Sequence, residues 1–371
     1  MADNPIPFTE HAERVEQRRG TGRSAEPVGG TLFAPGEESE LRTERAIVPG
    51  TDVVRFDYSI PGRRVGERAF APPPETVQLD PRRDLYAEAD HPEQVAGFLP
   101  DHLDSRVRPA ELEPRFRPTR RIEHDVEPGL DYATCLFPPE DRFVFSDTSF
   151  PWCTCGKVDP SGASGVMVGP RHLLTVSHGI NWHAPTPEEP WVADWVSFTP
   201  SSFDGDGPFG TAYSTNIYWQ RQVTGPTLNS TEKQFDYVVV VLDQRIGERT
   251  GWMGSRSYTD DWDGGDYWSH IGYPADMASG SRPVFIGPVA LDGDDARDDA
   301  HETMQHRGDV WPGQSGGPYF GWWDGEPWPR VVSVQSWERY EDGAKTIPLI
   351  NGASGGSSMV DLIIRARTDF P

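Results

Sequence analysis

The sequence lacks the apolar segments that mark membrane and exported proteins. No run approaches the roughly 20 consecutive apolar residues of a membrane span, and the first thirty residues have no signal-peptide core. The compartment therefore stays open. The protein remains in the cell, leaves it by another route, or has a natural start other than Met1.

Cysteine is scarce. The chain has three cysteines, Cys135, Cys153 and Cys155, all in one short region. This odd number predicts no disulfide framework, and the pair at 153 and 155 is too closely spaced for the usual zinc pattern. Two alternatives stay open: one bridge from Cys135 to either of the others, or free buried thiols. We predict no metal site and no cofactor.

Positive charge is also in short supply. The chain of 371 residues has 34 Lys and Arg against 58 Asp and Glu, a formal net charge of −24. Such a surface repels phosphates and anionic lipid heads, so we expect no nucleic-acid or membrane partner. Three acidic loops lack the EF-hand spacing and are interpreted as solvated loops rather than calcium sites. They are SFDGDGPFG, TDDWDGGDYW and LDGDDARDDAHE.

The chain divides into two regions. Residues 1–130 are rich in Arg, Glu and Pro, have no sustained period of two or 3.6, and contain one β-like piece, AIVPGTDVVRFDYSI. We interpret them as an N-terminal extension or a pro-segment. The segment PTRRIEHD is either a processing site or part of an appendage that is never cut.

Residues 131–371 have short β-like runs broken by Gly, Pro, Asn and Asp. The spacing predicts an all-β barrel or sandwich rather than βαβ units. The end of the chain, SSMVDLIIRARTDF, predicts a helix with Ser358 as its N-cap. The predicted strands lie in GVMVG, HLLTVS, WVSFT, DYVVVVL, PVFIGPVAL and RVVSVQSW.

The segment GDVWPGQSGGPYF holds the candidate nucleophile, Ser315. A serine hydroxyl reacts only when a base takes its proton and donors stabilise the oxyanion. Glycines around the serine allow a tight turn that points backbone N–H groups at one spot, here those of Gly313 and Ser315. A Gly-rich hairpin is the structural alternative, because the motif alone is a common accident.

Chain order separates the enzymes that use such a serine. An α/β-hydrolase needs its histidine after the nucleophile, but the last histidine is His306. A subtilisin-like order needs the acid before the histidine, and nothing before His178 resembles a strand-end aspartate in an apolar setting. The chymotrypsin order of His, Asp and Ser is met by His178, Asp236 and Ser315. Asp243, at the far end of the run after Asp236, is the competitor and is interpreted as a turn residue.

These segments resemble the trypsin-like serine proteases, and more closely the glutamyl endopeptidases similar to V8 protease. The matching motifs are GVMVGPRHLLTVSH, FDYVVVVLD and PGQSGGP, with PPEDRFVFSDTSFPW resembling the start of the mature domain. The resemblance implies two packed antiparallel β-barrels, a first at about 150–247 and a second at about 248–371. It also implies a secreted monomer that needs no cofactor and cleaves polypeptides.

The same resemblance assigns a substrate pocket. The late segment VVSVQSW resembles the strand that lines the cleft. Asp309 falls near the base of the first specificity pocket, where it either favours basic substrate residues or has a structural role. Three departures stand out. Gly179 replaces a disulfide cysteine, Gln314 replaces the aspartate that pairs with the new N-terminus in trypsin, and the cleft strand has no glutamate-selecting histidine. The predicted pocket residues are Asp309, Gln335, Ser336 and Trp337.

The sequence therefore predicts a serine endopeptidase that acts through an acyl-enzyme. Two alternatives share the same residues. One is a catalytically silent relative that binds a protein or a glycan, for which the 13 tryptophans leave room. The other is an esterase that uses the same triad.

Overall fold

A computed structural model provides the fold. It describes residues 4–11, 42–47, 54–60, 63–70, 75–79, 94–112, 136–137, 140–184, 186–187, 192–205, 207–225, 228–293, 300–340 and 348–371. The segment PTRRIEHD and Cys135 lie outside the described residues, so the predicted processing site stays a prediction. Cys153 and Cys155 are free and buried.

Strands dominate the described residues. The strands are β1 (Arg42–Ile47), β2 (Val54–Ile60), β3 (Arg63–Phe70), β4 (Glu75–Gln78), β5 (Gln94–Val95), β6 (Phe143–Val144), β7 (Cys155–Asp159), β8 (Ala163–Gly169), β9 (His172–Thr175), β10 (Ser197–Pro200), β11 (Ala212–Trp219), β12 (Val238–Leu242), β13 (Gly254–Arg256), β14 (Trp268–Gly272), β15 (Val284–Val289), β16 (Leu291–Asp292), β17 (Glu302–His306), β18 (Pro318–Gly321), β19 (Arg330–Tyr340) and β20 (Pro348–Gly355). Helices span Gly247–Thr250 and Ser357–Asp369, and single 3-10 turns span Trp152–Thr154, Ser177–Gly179, Lys233–Phe235, Asp260–Trp262 and Ala278–Gly280.

The first barrel is a closed ring of six strands. Its order is β10-β7-β8-β9-β12-β11, and β11 pairs back with β10. Strand β12 is apolar at every position because both of its faces are buried. Val238, Val240 and Leu242 lie in the barrel core, whereas Val239 and Val241 pack in a second cluster with the C-terminal helix. A strand that is buried on both faces has no polar side to show in its sequence.

The second barrel repeats this order. Strand β14 pairs with β15, β16 with β17, and the ring continues through β20, β19 and β18 back to β14. Only Ala290 separates β15 from β16, so the two act as one ribbon that closes the ring. Both barrels thus have the order 1-2-3-6-5-4 in their own strands. The predicted all-β, two-barrel fold of the chymotrypsin type is confirmed.

Parts of residues 1–130 pack into this fold. Strand β4 adds to the first barrel beside β11, and β5 pairs with β13 of the second sheet. Phe8, Leu79 and Val107 are each at most 5% exposed and lie in the core cluster that also contains residues of both barrels. The β-like piece in this region contains β2 and the last two residues of β1, and these two strands make a separate three-stranded sheet with β3. These early segments therefore contribute to the core of the folded chain.

The C-terminal helix is where predicted, but its cap is not. The helix spans Ser357–Asp369, and its N-cap is Gly356, with a φ of 96°. The predicted N-cap, Ser358, lies inside the first turn and is buried, so that prediction is wrong. Glycine takes the position because the chain enters the helix in a conformation that side chains disfavour. No helix in the described ranges is long and apolar enough to cross a membrane.

Candidate active site

His178 and Asp236 meet at the ends of two neighbouring strands of the first barrel. His178 lies in the 3-10 turn that follows β9, and Asp236 lies two residues before Val238, the first residue of β12. The Asp236 side chain is fully buried. Its Oδ2 accepts from His178 Nδ1 at 2.6 Å, and its Oδ1 accepts from the His178 backbone N–H at 2.8 Å. The carboxylate therefore fixes both the ring and the backbone of His178.

The second barrel supplies a third donor to the same carboxylate. Ser336 Oγ, on β19, donates to Asp236 Oδ2 at 2.5 Å. The sequence predicts Ser336 in the substrate pocket only, and nothing in the motif indicates this bond, since it joins residues that are 100 positions apart. A hydrogen bond to an ionised carboxylate stabilises the charged form.

The charge of His178 follows from these contacts. Burial lowers the pKa of His178, but the Asp236 carboxylate, through its charge and its hydrogen bond, and the charge of Glu338 outweigh this and raise the pKa above its ordinary value. The ring is still 21% exposed. With Nδ1 engaged by Asp236, the nitrogen left to accept a proton from a substrate or a nucleophile is Nε2.

The loop that carries Ser315 is anchored to the first barrel. The Ser315 carbonyl accepts from the Ser164 N–H of β8 at 2.8 Å. The next residue, Gly316, has a φ of 83° and lies so close to the end of β9 that a Cβ would be 2.4 Å from Thr175 Oγ1 and 3.1 Å from the nitrogen of Val176. Only glycine tolerates both the conformation and the approach. The loop thus sits against the strand end that leads to His178.

Two amides of this loop are candidates for an oxyanion hole. The carbonyl of Pro312 accepts from the Ala275 N–H at 2.9 Å, and because the peptide is planar and trans, the Gly313 N–H points the opposite way. Within the described residues, neither the Gly313 N–H nor the Ser315 N–H donates to another group of the chain. Two free donors in one turn are what a developing oxyanion requires.

Ser164 connects this turn to its neighbour. Its hydroxyl donates to the Gly313 carbonyl at 2.7 Å and accepts from the Tyr273 N–H at 2.9 Å. Sequence reasoning missed this residue. The only available signal was its place in the SGASGVMV hairpin, which does not report a contact with a loop 149 residues away.

Asp309 lies in an acidic environment. It is 2% exposed, its Oδ1 accepts from the Phe137 N–H at 2.5 Å, and within the described part of the chain its Oδ2 has no partner. Carboxylate oxygens of Glu140 and Asp141 lie within 4.8 Å of it. Burial, helped by these two charges, raises the pKa of Asp309 to about 7, although the Phe137 bond and Arg142 act in the opposite direction.

The other pocket candidates lie on β19. Gln335 is buried, and its Oε1 accepts from His306 Nε2 at 2.9 Å and from the Tyr319 hydroxyl at 2.8 Å. Trp337 is 4% exposed, with the Lys233 ammonium 3.5 Å above its ring centroid. Gln335 and Trp337 thus form the buried support of the strand.

His172, His183 and His270 have partners outside the His178–Asp236 pair. His172 and His270 are fully buried, each with one ring nitrogen bonded to a backbone carbonyl, and burial lowers their pKa values to about 4 and about 3. His183 is paired with Asp194. Asp243 is exposed and accepts from the Tyr213 N–H, as expected of a turn residue.

In the described parts of the acidic loops, carboxylates bind groups of the chain itself. Asp204 pairs with Arg282 at 2.7 Å, and Asp263 Oδ1 accepts from the Tyr258 hydroxyl and the Gly293 N–H. Residues 294–299 of the third loop lie outside the described ranges.

The barrel order and the placement of this site define the chymotrypsin-type fold of serine proteases, as the sequence predicted. No protein-family model and no curated protein matches the sequence. Three solved structures illustrate the likeness. A Glu endopeptidase has a TM-score of 0.46 and 19% sequence identity, covering 63% of this chain and 99% of its own. The protease Anisep from Arthrobacter nicotinovorans has 0.40 and 19%, covering 58% and 92%. Human heparin binding protein has 0.41 and 12%, covering 60% and 93%.

Proposed function

We propose that the chain is a serine endopeptidase that hydrolyses peptide bonds through an acyl-enzyme. The observation that carries the proposal is the buried Asp236 carboxylate, which holds His178 from the first barrel while the second barrel presents Ser315 on a turn with two free amides. Such an arrangement serves nucleophilic acyl transfer.

Each residue then has one task. His178 Nε2 takes the proton of the Ser315 hydroxyl as the oxygen attacks the scissile carbonyl, and Asp236 stabilises the imidazolium that forms. The Gly313 and Ser315 N–H groups receive the oxyanion. His178 returns the proton to the leaving amine, and the same imidazole activates the water that hydrolyses the ester.

For the substrate, we propose a positively charged side chain just before the cut bond. The Gly308 carbonyl accepts from Asn351 Nδ2 at 2.7 Å, and Asn351 pairs with Glu338 on β19, the strand that lines the proposed cleft. Asp309 is the next residue after Gly308, so it lies near the edge of this cleft. The free Oδ2 of Asp309, beside Glu140 and Asp141, suits a cation. A mixed peptide library should show Lys or Arg enriched before the cut, and no enrichment would refute this specificity.

The alternative functions are less well supported. Of the 12 tryptophans in the described residues, nine are buried and three are half-buried, which gives little support to an aromatic surface for a glycan. An esterase would use the same residues, and the substrates distinguish it.

The deciding experiment is labelling of the full chain with a fluorophosphonate probe. We expect labelling of the wild type at Ser315, located by mass spectrometry, and none of Ser315→Ala, whereas Ser333→Ala should label normally. A denatured protein substrate should be cut. Activity on activated esters alone would make the chain an esterase. A folded wild type that is never labelled would make it a silent relative.

A further inference from the structure

The loop Trp311–Ser315, here called the oxyanion loop, is shaped by the side chain of Gln314. Gln314 is fully buried and lies between the two candidate oxyanion donors. Its backbone N–H donates to the Trp311 carbonyl at 3.0 Å, and its Oε1 accepts from the Trp311 N–H at 2.9 Å. The side chain thus folds back on the loop and closes it with a second hydrogen bond.

A buried guanidinium holds this side chain in place. Arg142 has a fully buried side chain, and its Nη1 donates to Gln314 Oε1 at 3.1 Å. The same group bonds both oxygens of Asp276, at 3.2 and 2.7 Å, and both oxygens of Glu140, each at 2.8 Å. Every nitrogen of the fork is therefore used.

Arg142 acts on the oxyanion loop through two side chains, one within the loop and one beside it. The first is Gln314 itself. The other is Asp276, which follows Ala275, the residue whose N–H fixes the Pro312 carbonyl and so orients the Gly313 N–H. Removal of the guanidinium would take one charged donor from the buried Asp276 carboxylate and one from the buried Gln314 amide oxygen, which favours rearrangement of both segments.

We infer that Arg142 is a positioning residue that holds the oxyanion loop in its active form from within the chain, so that no newly released N-terminus is needed for this purpose. The inference rests on the proposed function, since it concerns the amides that would bind the oxyanion. This role gives a function to the segment PPEDRFVF, in which the sequence indicates only the start of the mature domain.

A guanidinium and an amine differ in the pH range over which they stay charged. Burial lowers the pKa of Arg142, but its bonds to Glu140 and Asp276 outweigh this and raise it further above its already high value. An α-amino group has a pKa of about 8, so an amine in this role would lose its charge in alkaline solution. The charged or titratable groups that face Arg142 are Glu140, Asp276, Asp141, Asp309 and His270. The pKa values of Asp309, about 7, and of His270, about 3, both lie below pH 8.

The test uses the full chain and the variants Arg142→Lys and Arg142→Met. The matched control is Arg330→Lys, because Arg330 is also buried and paired with a glutamate, Glu326, but its remaining donor bonds Val95 and Ser255. We expect wild-type kcat/KM on a peptide to stay level from pH 8 to 10. Arg142→Lys should lose about tenfold or more in kcat at pH 8, with KM little changed, because an ammonium cannot reproduce the bonds of the fork. It should show a further fall toward pH 10 as its amine, with an ordinary pKa of about 10.4, begins to deprotonate. Arg330→Lys should keep the wild-type profile.

A second readout does not depend on activity. Hydrogen exchange of peptides that span residues 311–317 should speed up in both Arg142 variants and not in Arg330→Lys. Folded Arg142 variants with wild-type exchange and a wild-type pH profile would overturn the inference. A wild type that reacts with the probe only after cleavage upstream of residue 140 would also overturn it. If the wild type never reacts, the proposed function fails, but faster exchange in the variants would still support the role of Arg142 in ordering the loop.

Discussion

Ser336 Oγ donates to Asp236 Oδ2 across the junction of the two barrels, 2.5 Å apart. Asp236 belongs to the first barrel with His178, and Ser336 belongs to the strand of the second barrel that also binds the serine loop, since the Gly316 N–H donates to the Gln335 carbonyl. One carboxylate therefore joins the two halves of the proposed active site.

Ser336→Ala should lower kcat/KM about tenfold, because a hydrogen bond to a charged group contributes about 1.5–3 kcal/mol and only part of it acts on catalysis. Without this donor the carboxylate attracts the imidazolium more strongly, so the acid limb of the pH profile should move to higher pH. The control is Ser333→Ala, on the same strand, whose buried hydroxyl has no partner among the described residues. A limb that stays in place would contradict the assignment.

Asp236→Asn should lower kcat/KM by about four orders of magnitude. His178 must be neutral to accept a proton, so wild-type activity should fall as the pH drops through its raised pKa. The amide removes the negative charge, so the residual activity should persist to lower pH. Asp243→Asn, at the other end of β12, should change neither the rate nor the profile. Equal losses in both variants would indicate that the wrong acid has been assigned.

Gly316→Ala should abolish probe labelling and destabilise the fold. Its Cβ would lie 2.2 Å from the Ser164 carbonyl oxygen, at a φ of 83°. Gly325→Ala is matched in backbone, with a φ of 79°, but a Cβ there meets nothing within 4 Å. That variant should lose only about 1 kcal/mol of stability and label normally. Thermal melting and labelling of both variants test the prediction, and similar behaviour would show that the close approach is unimportant.

Asp309→Asn should stabilise the protein at neutral and alkaline pH. The pKa of Asp309 rises from its ordinary 3.8 to about 7 on folding, so its contribution is fully present below the lower value and is lost as the pH rises through the higher one. The asparagine keeps an acceptor for the Phe137 N–H and does not ionise. The stability difference between variant and wild type should grow from pH 4 to pH 8, by at most about 4 kcal/mol at about 1.4 kcal/mol per pKa unit.

Urea denaturation of both proteins, each carrying Ser315→Ala to prevent self-cleavage, measures this difference. A difference that is constant with pH would mean that Asp309 is ionised in the folded protein.

Much of the fold is predictable because local pattern and global structure agree. Each of the six segments named as strands overlaps an observed strand, and the apolar run of β12 marks a strand buried on both faces. The order of His178, Asp236 and Ser315 along the chain indicates the chymotrypsin type, and the two barrels confirm that fold. Their catalytic roles stay predictions.

What could not be predicted depends on contacts between distant residues. Arg142 lies in a segment whose letters suggest only a domain boundary, yet its partner Gln314 is 172 residues away. Ser336 is predicted as a pocket residue because its strand is recognisable, whereas its hydroxyl faces Asp236. The sequence shows that Gln314 stands where trypsin has an aspartate, but it does not show that the Arg142 guanidinium bonds the Gln314 side chain.

The pairing of Ile6 with Trp322 has a consequence for how the chain matures on the ribosome. Translation at about 5–20 residues per second separates these two residues by roughly 15 to 60 s. During that interval the apolar side chains of Ile6 and Phe8 have no second barrel to cover them, and chaperones can bind them. The beginning of the polypeptide is thus among the last parts to pack into the folded structure.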